Sequence, residues 1–562
     1  MIPHFFRAVP AFLDRRPAVL VAVVLLLLVP ALLINLGLLP LTVDEPIRAL
    51  VALELRDSGN YFLSTMQGVL YYNKPPLYNW MLLGVFWLFG NESEWTIRIP
   101  TVFFLLTFAL SIWLIVRRYL GNRVGVITAL AFVTSGRILY YDSFQGLIDM
   151  SYSWVTYLSF MAIFYFAERR QWVWLFVVSY GLTAVGFMLK GLPSLVFQGL
   201  MLAVFFGYTG RWRRLFSWQH VVGGLVLLAL IGAYFYQYSR YNSLDTYFRT
   251  LWTESSKRTV AAHTWQDSVV HFFVFPFDFL RNFLPWTLLL VCCLHRDFWR
   301  AVRANPFLSF NLAALLAPLP IYWFSPSTIP RYLFMLVPQL MTLLVYAYFQ
   351  FGVRYPVHRR IVDGLLLGIS AGLAVAMLLP LFFPSTRALP LAAFKSLGLF
   401  LLLAALTALL YHLPNRRLLL LAAVLLAARI GFDWFVLPLR VLPTADKVQY
   451  RRAGVTVGQL TKGQPLYLYP RAYLDNDIAF YITRERGAIL RTAPRVRPDT
   501  YYLAETRQLR HARYTSYYRF FTDEDHEELQ LVKFSQGRLP HPPTSHSLDA
   551  RHPPGEGEPS LK

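Results

Sequence analysis

The amino-acid sequence predicts a polytopic α-helical membrane protein of about thirteen transmembrane helices, followed by a small soluble α/β domain. Three observations predict it. Of the 562 residues, 56% are hydrophobic and only 15% charged, against about 25% charge in an ordinary soluble domain. Runs such as Val19 to Leu39, Ile361 to Phe383 and Leu418 to Leu437 are long enough to cross about 30 Å of hydrocarbon. Arginine doublets recur in the short loops between such runs, the asymmetry that sets orientation in a bilayer.

The net charge of +22 is spread through these loops, so no nucleic-acid partner is expected. Cys292 and Cys293 are adjacent in an apolar run, which leaves no disulfide framework. At the N-terminus Arg7, Arg15 and Arg16 precede an apolar segment too long for a signal-peptide core. A retained first helix is expected, starting in the cytoplasm.

That first helix delivers Asp44 to the outer side. Pro75 to Phe89 is short and is followed only by Asn91, Glu92, Ser93 and Glu94, so it is expected to lie in the outer interface. Helix two, Ile99 to Val116, then brings Arg117-Arg118 inside. Helix three (about 124 to 140) runs out to Asp142 and Asp149, and helix four (about 150 to 166) returns to Arg169-Arg170. Helix five ends outside at Lys190-Gly191, and helix six returns to Arg211 to Arg214. Helix seven (about 220 to 237) leads to a long outer loop, Ser239 to about Phe279. Helix eight returns to His295-Arg296, helix nine leads out to Ser325 to Tyr332, and helix ten returns to Arg354 and His358 to Arg360. Helices eleven to thirteen complete the set, with Asn415-Arg416-Arg417 inside between the last two. In this count every basic doublet between helices falls on one side.

Residues 439–535 change in composition. Short runs at Pro465 to Tyr469, Ile478 to Ile482 and Thr500 to Leu503 read as strands of an outer-face α/β domain. Residues 536–562, rich in Pro, His, Ser and Gly, read as a disordered tail. The membrane domain is therefore 1–438.

The unusual polar residues fall at outer helix ends or in outer loops: Asp44, Glu45, Lys74, Asp149, Lys190, Arg258, His263 and Arg331. Ionisable groups at membrane depth suggest function, yet each has a plainer reading. Thr42 or Asp44 suits a helix cap with Pro46 in the first turn. Asp149 suits a cap of helix four, and Lys74 a side chain reaching the interface ahead of Pro75-Pro76. The segment around Lys257, Arg258 and His263 suits a solvated loop. Arg331 opposes the dipole of the helix it begins, which an anionic partner would offset.

Asp44-Glu45 with Arg48 and Glu54, then Gly59-Asn60, Gly68 to Leu77, Leu88-Phe89-Gly90 and Arg98-Ile99-Pro100, resembles the first outer loop of GT-C glycosyltransferases. Within that group it is similar to the bacterial lipid A aminoarabinose transferases and, more distantly, to the protein O-mannosyltransferases. The resemblance covers about residues 18 to 440 and extends to Asp149, Leu189-Lys190-Gly191, His263, Leu284-Pro285-Trp286 and Arg331-Tyr332. It implies sugar transfer from a polyprenyl-phosphate carrier on the outer side of the membrane to a hydroxyl or phosphate acceptor. It makes Asp44 the expected catalytic base, with Glu45 its neighbour in the motif. Lys74, Arg258 and Arg331, with Tyr332, become candidates for holding the carrier phosphate, and Asp149, Lys190 and His263 further lining. Asn73 stands where the aminoarabinose enzymes have a glutamate implicated in metal binding, which weakens a metal site with His263; the resemblance fixes no cofactor and leaves a divalent metal open.

Two functions follow. The preferred one is an inner-membrane glycosyltransferase with a periplasmic active site, whose acceptor is a lipid A-like glycolipid, a protein or a polysaccharide. The alternative is a transporter or flippase of a lipid-linked anion, which predicts broken helix pairs within the membrane. The apolar runs read as mostly continuous, which favours the enzyme.

Overall fold

The computed structural model describes residues 12–256, 265–510, 512–522 and 528–535. It divides into two compact units, Met1–Arg451 and Arg452–Lys562.

The larger unit is helical apart from one small hairpin. Helix α1 (Pro17–Leu33) is followed by α2 (Glu45–Ser58), the hairpin β1 (Thr65–Met66) and β2 (Val69–Leu70), α3 (Leu77–Phe89) and α4 (Glu94–Leu120). The stretch between α1 and α4, expected as the first outer loop, is thus a folded element. At 13 residues, α3 is about 20 Å long, too short to cross a bilayer upright. Trp87 and Leu88 are exposed near its end. The chain continues through α5 (Asn122–Val133), α6 (Gly136–Tyr140), α7 (Asp149–Glu168), α8 (Trp172–Lys190), α9 (Pro193–Tyr208) and α10 (Trp218–Ser239).

The expected outer loop from Ser239 to Phe279 is instead largely two helices, α11 (Leu244–Ser256) and α12 (Trp265–Asn282). Leu244, Tyr247, Phe248 and Leu251 recur at three- and four-residue spacing, which gives α11 one apolar stripe. Tyr247 and Leu251 are buried against Phe187, Phe235 and Tyr238, under Tyr72 and Leu77 of the first outer stretch. Charged residues on the other face disguise the helix as loop.

After α12 come a 3₁₀ segment (Trp286–Cys293), α13 (Arg296–Ala304), α14 (Pro306–Leu316), α15 (Leu319–Trp323) and a 3₁₀ turn (Pro330–Leu333). The unit then runs through α16 (Val337–Arg354), α17 (Pro356–Ala376), α18 (Pro384–Arg387), α19 (Ala392–His412) and α20 (Arg417–Phe435). Most side chains of α20 are buried.

By length and composition seven of the described helices can cross a membrane, or nine if two bent pairs count as spans. The protein is a multi-pass membrane protein. The expected thirteen segments are all at least partly helical, but several are short or 3₁₀. Continuity is the part of the expectation that fails. The segment 122–133 bends by 45° onto 136–144, and 265–282 bends by 114° onto 286–293. The two breaks lock together. Gly136 N donates to Leu284 O at 2.8 Å, and Trp286 Nε1 donates to Thr134 Oγ1 at 3.0 Å.

Basic loops from several helices gather at one end of this unit. Tyr119 donates to Glu168, Arg211 and Arg214 lie over the Trp172 ring, and Arg123 donates to Asn415 O. This is the clustering that the positive-inside pattern predicts.

In the smaller unit, entered through α21 (Asp446–Leu460), a five-stranded sheet has the order β4-β3-β5-β7-β6. Its strands are β3 (Leu466–Leu468), β4 (Arg491–Thr492), β5 (Tyr501–Glu505), β6 (Tyr514–Phe521) and β7 (Glu528–Phe534). Strand β3 pairs parallel with β4 and β5, and the remaining pairs are antiparallel. Ile478 to Ile482, expected as a strand, lies in helix α22 (Asn476–Arg486) and is buried throughout. A short apolar run does not by itself separate strand from buried helix. Gly454 of α21 decides the packing: a Cβ there would meet Tyr481 Cβ at 2.7 Å. The tail, 536–562, lies outside the described residues.

Candidate active site

The adjacent carboxylates of the first outer stretch go to different surroundings. Glu45 is buried, and its Oε1 accepts from Arg98 Nε at 2.8 Å and Gly146 N at 2.6 Å. Its Oε2 accepts from Arg98 Nη2 and from Thr42 N, both at 2.9 Å. Arg98 also donates to the carbonyls of Leu36, Leu39 and Pro40. This one ion pair ties the end of α1, the start of α2, α4 and the approach to α7 together. Both carboxylate oxygens of Glu45 are engaged, which is what a buried charge needs to persist.

Asp44 occupies the cap position of α2, yet its side chain makes no capping bond. It turns instead to Arg331, whose Nη2 donates to Asp44 Oδ2 at 2.7 Å. The Asp44 side chain is 49% exposed, while that of Arg331 is 6%. Arg331 Nε lies 3.3 Å from Asp149 Oδ2, and Lys190 Nζ donates to Asp149 Oδ1 at 2.5 Å. Asp149 therefore does not cap α7 either. Burial pushes the Arg331 guanidinium down, but Asp149 and Asp44 outweigh it and hold the group above the usual arginine range. Arg331 sits in a 3₁₀ turn rather than at the start of an α-helix. Two carboxylates, and not a helix dipole, decide its surroundings.

Lys190 Nζ lies 4.1 Å from the centre of the Tyr332 ring and 5.0 Å from that of Tyr152. Lys74 is close enough to act on Asp149 through its charge. The reason is local. Gly191 has φ +86°, and a Cβ on it would lie 3.1 Å from Leu251 Cδ1 and 4.0 Å from Pro75 Cδ. Lys74-Pro75 and Lys190-Gly191 are thus neighbours, with α11 behind them. Glu54 fixes the hairpin that leads to Lys74, accepting from Thr65 Oγ1 at 2.7 Å, Gln67 N at 2.6 Å and Gly68 N at 3.1 Å. Asn242 steadies the far side, donating to Tyr72 OH at 3.2 Å.

The structure therefore brings Asp44, Lys74, Asp149, Lys190, Arg331 and Tyr332 together, with Glu45 in the wall behind. Arg258 and His263 lie outside the described residues. Two further features belong to the same place. Arg48, one turn along α2 from Asp44, is buried and donates to Tyr71 OH; its Nη1 has no hydrogen-bond partner among the described residues. Asp142 is buried, its Oδ2 accepting from Arg137 Nε at 2.7 Å and its Oδ1 without a partner there. The helical spacing of Asp44 and Arg48 would have pointed to Arg48, since residues four apart share a face. Asp142 carries no such signal.

Among the described residues no group of three or more His, Cys, Asp or Glu side chains could hold a metal ion. Asp44 and Asp149 are already matched by Arg331 and Lys190. The arrangement suits an anion better than a resident cation, since an entering phosphate finds two or three positive groups at the edge of low dielectric.

Residues 73–253 match the family model described as dolichyl-phosphate-mannose-protein mannosyltransferase. The undecaprenyl phosphate-alpha-4-amino-4-deoxy-L-arabinose arabinosyl transferase 1 of Pseudomonas fluorescens is 27% identical over 304 residues, 52% of this chain and 50% of that protein. The corresponding transferase of Shewanella sediminis is 25% identical over 315 residues, 54% of this chain and 55% of that protein. The chain spans about half the length of these curated relatives. In structure it is similar to ArnT from Cupriavidus metallidurans, crystallised bound to undecaprenyl phosphate. The TM-score there is 0.68 at 20% identity, over 93% of this chain and 99% of that one. In sequence and in fold, this protein resembles the aminoarabinose transferases of the GT-C glycosyltransferases.

Proposed function

We propose that this protein is a polyprenyl-phosphate-dependent glycosyltransferase of the bacterial inner membrane, with its active site on the periplasmic face. The acceptor is a hydroxyl or phosphate of a lipid A-like glycolipid, a protein or a polysaccharide. The observation that carries this reading is the chain of charges Asp44, Arg331, Asp149, Lys190, with only Asp44 open to solvent. The likeness to relatives named for undecaprenyl-phosphate sugar transfer supports it.

In this reading the carrier phosphate enters beside Lys74, Lys190 and Arg331. It competes with Asp44 for Arg331 and so frees an Asp44 oxygen to accept a proton. The acceptor oxygen forms its bond to the anomeric carbon as the bond from that carbon to the carrier phosphate breaks. The phosphate leaves with the electron pair, and the lysines and Arg331 balance its growing charge. Asp44 takes the proton from an acceptor hydroxyl. A single displacement inverts the anomeric centre. A phosphate acceptor needs little help from a base, and Asp44 would then orient it.

Domain limits of 1–438 for the transferase and 439–535 for an outer-face module accompany the proposal. The test is sugar transfer from a polyprenyl-phosphate donor in membranes carrying Asp44→Asn; full activity there overturns the assignment.

A second reading, movement of a lipid-linked anion without chemistry, draws on the two bent helix pairs. Against it, the bends are bonded to each other through Thr134, Gly136, Leu284 and Trp286. Labelled carrier that crosses vesicles without any glycosylated product would favour transport.

A further inference from the structure

At the end of the bundle opposite the site, three helices begin with arginines crowded together. Helices α1 and α20 run between the two ends. Asp14, just before α1, meets Arg416, just before α20, with Arg416 Nε 3.3 Å from Asp14 Oδ1. Near the other ends of those helices, Asn35 Nδ2 donates to Asp433 O at 2.6 Å. The 17 residues of α1 separate these levels by about 25 Å.

The arginines converge on one turn. Arg123, in the first turn of α5, donates through Nη2 to Asn415 O at 2.6 Å. Arg359, in the first turn of α17, donates through Nη2 to Pro414 O at 3.0 Å. Arg416 donates to Asp14 O at 2.9 Å, and Arg417 pairs with Asp363. Arg359 Nε is 3.5 Å from the same Asp363 carboxylate, which also accepts from Tyr348 OH at 2.7 Å. Three guanidinium groups, those of Arg359, Arg416 and Arg417, therefore take up the two carboxylates, Asp14 and Asp363. Arg123 has no ion-pair partner among the described residues. It lies 4.2 Å from the centre of the Phe349 ring, and the charges of Arg359 and Arg416 repel it.

Helix starts carry partial positive charge. Arginines placed at three of them add to the repulsion, where acidic residues would relieve it. An excess of about two positive charges, fixed on backbone carbonyls and half sheltered from water, calls for an anion with several acceptor oxygens. The position, at the end where the basic loops gather, is that of a lipid headgroup layer.

We propose that Arg123, Arg359 and Arg416 form a binding site for the phosphodiester headgroup of an anionic phospholipid, on the membrane face opposite the transfer site. The shared chemistry is a phosphate oxyanion held by guanidinium groups; the lipid supplies it in the headgroup layer. The site owes nothing to the proposed transferase reaction and stands or falls separately.

The test uses the full chain in detergent, with thermal unfolding followed as phosphatidylglycerol or phosphatidylcholine is added to the micelles. Retained lipid is counted by native mass spectrometry. Phosphatidylglycerol should raise the midpoint and be retained, while phosphatidylcholine should do neither. The Arg123→Gln/Arg359→Gln pair should weaken retention by about tenfold or more. Arg123→Lys, which keeps the charge and the fold, should lose less, and Arg360→Gln, outside the cluster, should lose nothing. Inorganic phosphate should leave the midpoint unchanged. A shift with phosphate equal to that with the lipid would overturn the lipid assignment. Equal retention by wild type and the double variant would overturn the site altogether.

Discussion

Asp44 and Glu45 are consecutive residues with opposite surroundings: Asp44 is half exposed and reaches Arg331, while Glu45 is wholly buried and held by Arg98. One peptide bond separates a group that can exchange partners from one that cannot. Asp44→Asn should therefore fold normally and lose transfer to a hydroxyl acceptor by about a hundredfold or more. Glu45→Gln should do the reverse, leaving Arg98 buried without its charge partner at a cost of about 3 kcal/mol or more. Measuring transfer per folded molecule alongside thermal unfolding separates the two effects.

Arg331 is expected to act on the donor more than on the chemistry of the acceptor. Arg331→Lys keeps a charge but cannot span Asp44 and Asp149 at once. Donor KM should rise by about tenfold, and by more in Arg331→Gln. Initial rates against donor concentration, at saturating acceptor, would show this; an unchanged KM with a reduced kcat would remove Arg331 from the phosphate site.

Asp149 is a carboxylate shared by Lys190 and Arg331. Asp149→Asn takes from Lys190 its carboxylate partner and leaves Arg331 with Asp44 alone, and should destabilise by about 3 kcal/mol. Adding Lys190→Met should recover part of that loss, because it removes the sheltered charge that lost Asp149. Thermal midpoints of the single and double variants give the coupling directly.

The two helix breaks should behave as one joint. Thr134→Val and Trp286→Phe each remove the same hydrogen bond and should each cost about 1 kcal/mol. Together they should cost little more than either alone. Hydrogen exchange should quicken at residues 134–136 and 284–286 in both. Independent changes at the two breaks would separate them.

Orientation has its own check. A reporter fused after Arg118 should register as cytoplasmic, with α3 lying in the outer interface. An external signal would require α3 to cross.

Most of the bundle was legible because hydrophobic length and basic loops are strong, one-dimensional signals. α11 and α12 were not, since charged residues at helical spacing look like loop until the partner face is known. Ile478 to Ile482 failed for a related reason: burial on all sides erases the period that tells helix from strand. At the site, residue type and order led to Asp44, Lys74, Asp149, Lys190 and Arg331. They did not reveal that Glu45 is spoken for by Arg98, because that partner is 53 positions away. Nor did they reveal Asp142, whose significance depends on a neighbour's orientation.

Gly191 lies where the two lysine-bearing segments meet. It lets the backbone after α8 press against Pro75 and Leu251, so the interval between Lys190 and Lys74 is set by main chain rather than by flexible stems. The interval's one vulnerability is an uncharged substitution: a methyl group at position 191 would spread the two amines and mistune the grip without touching a single charge.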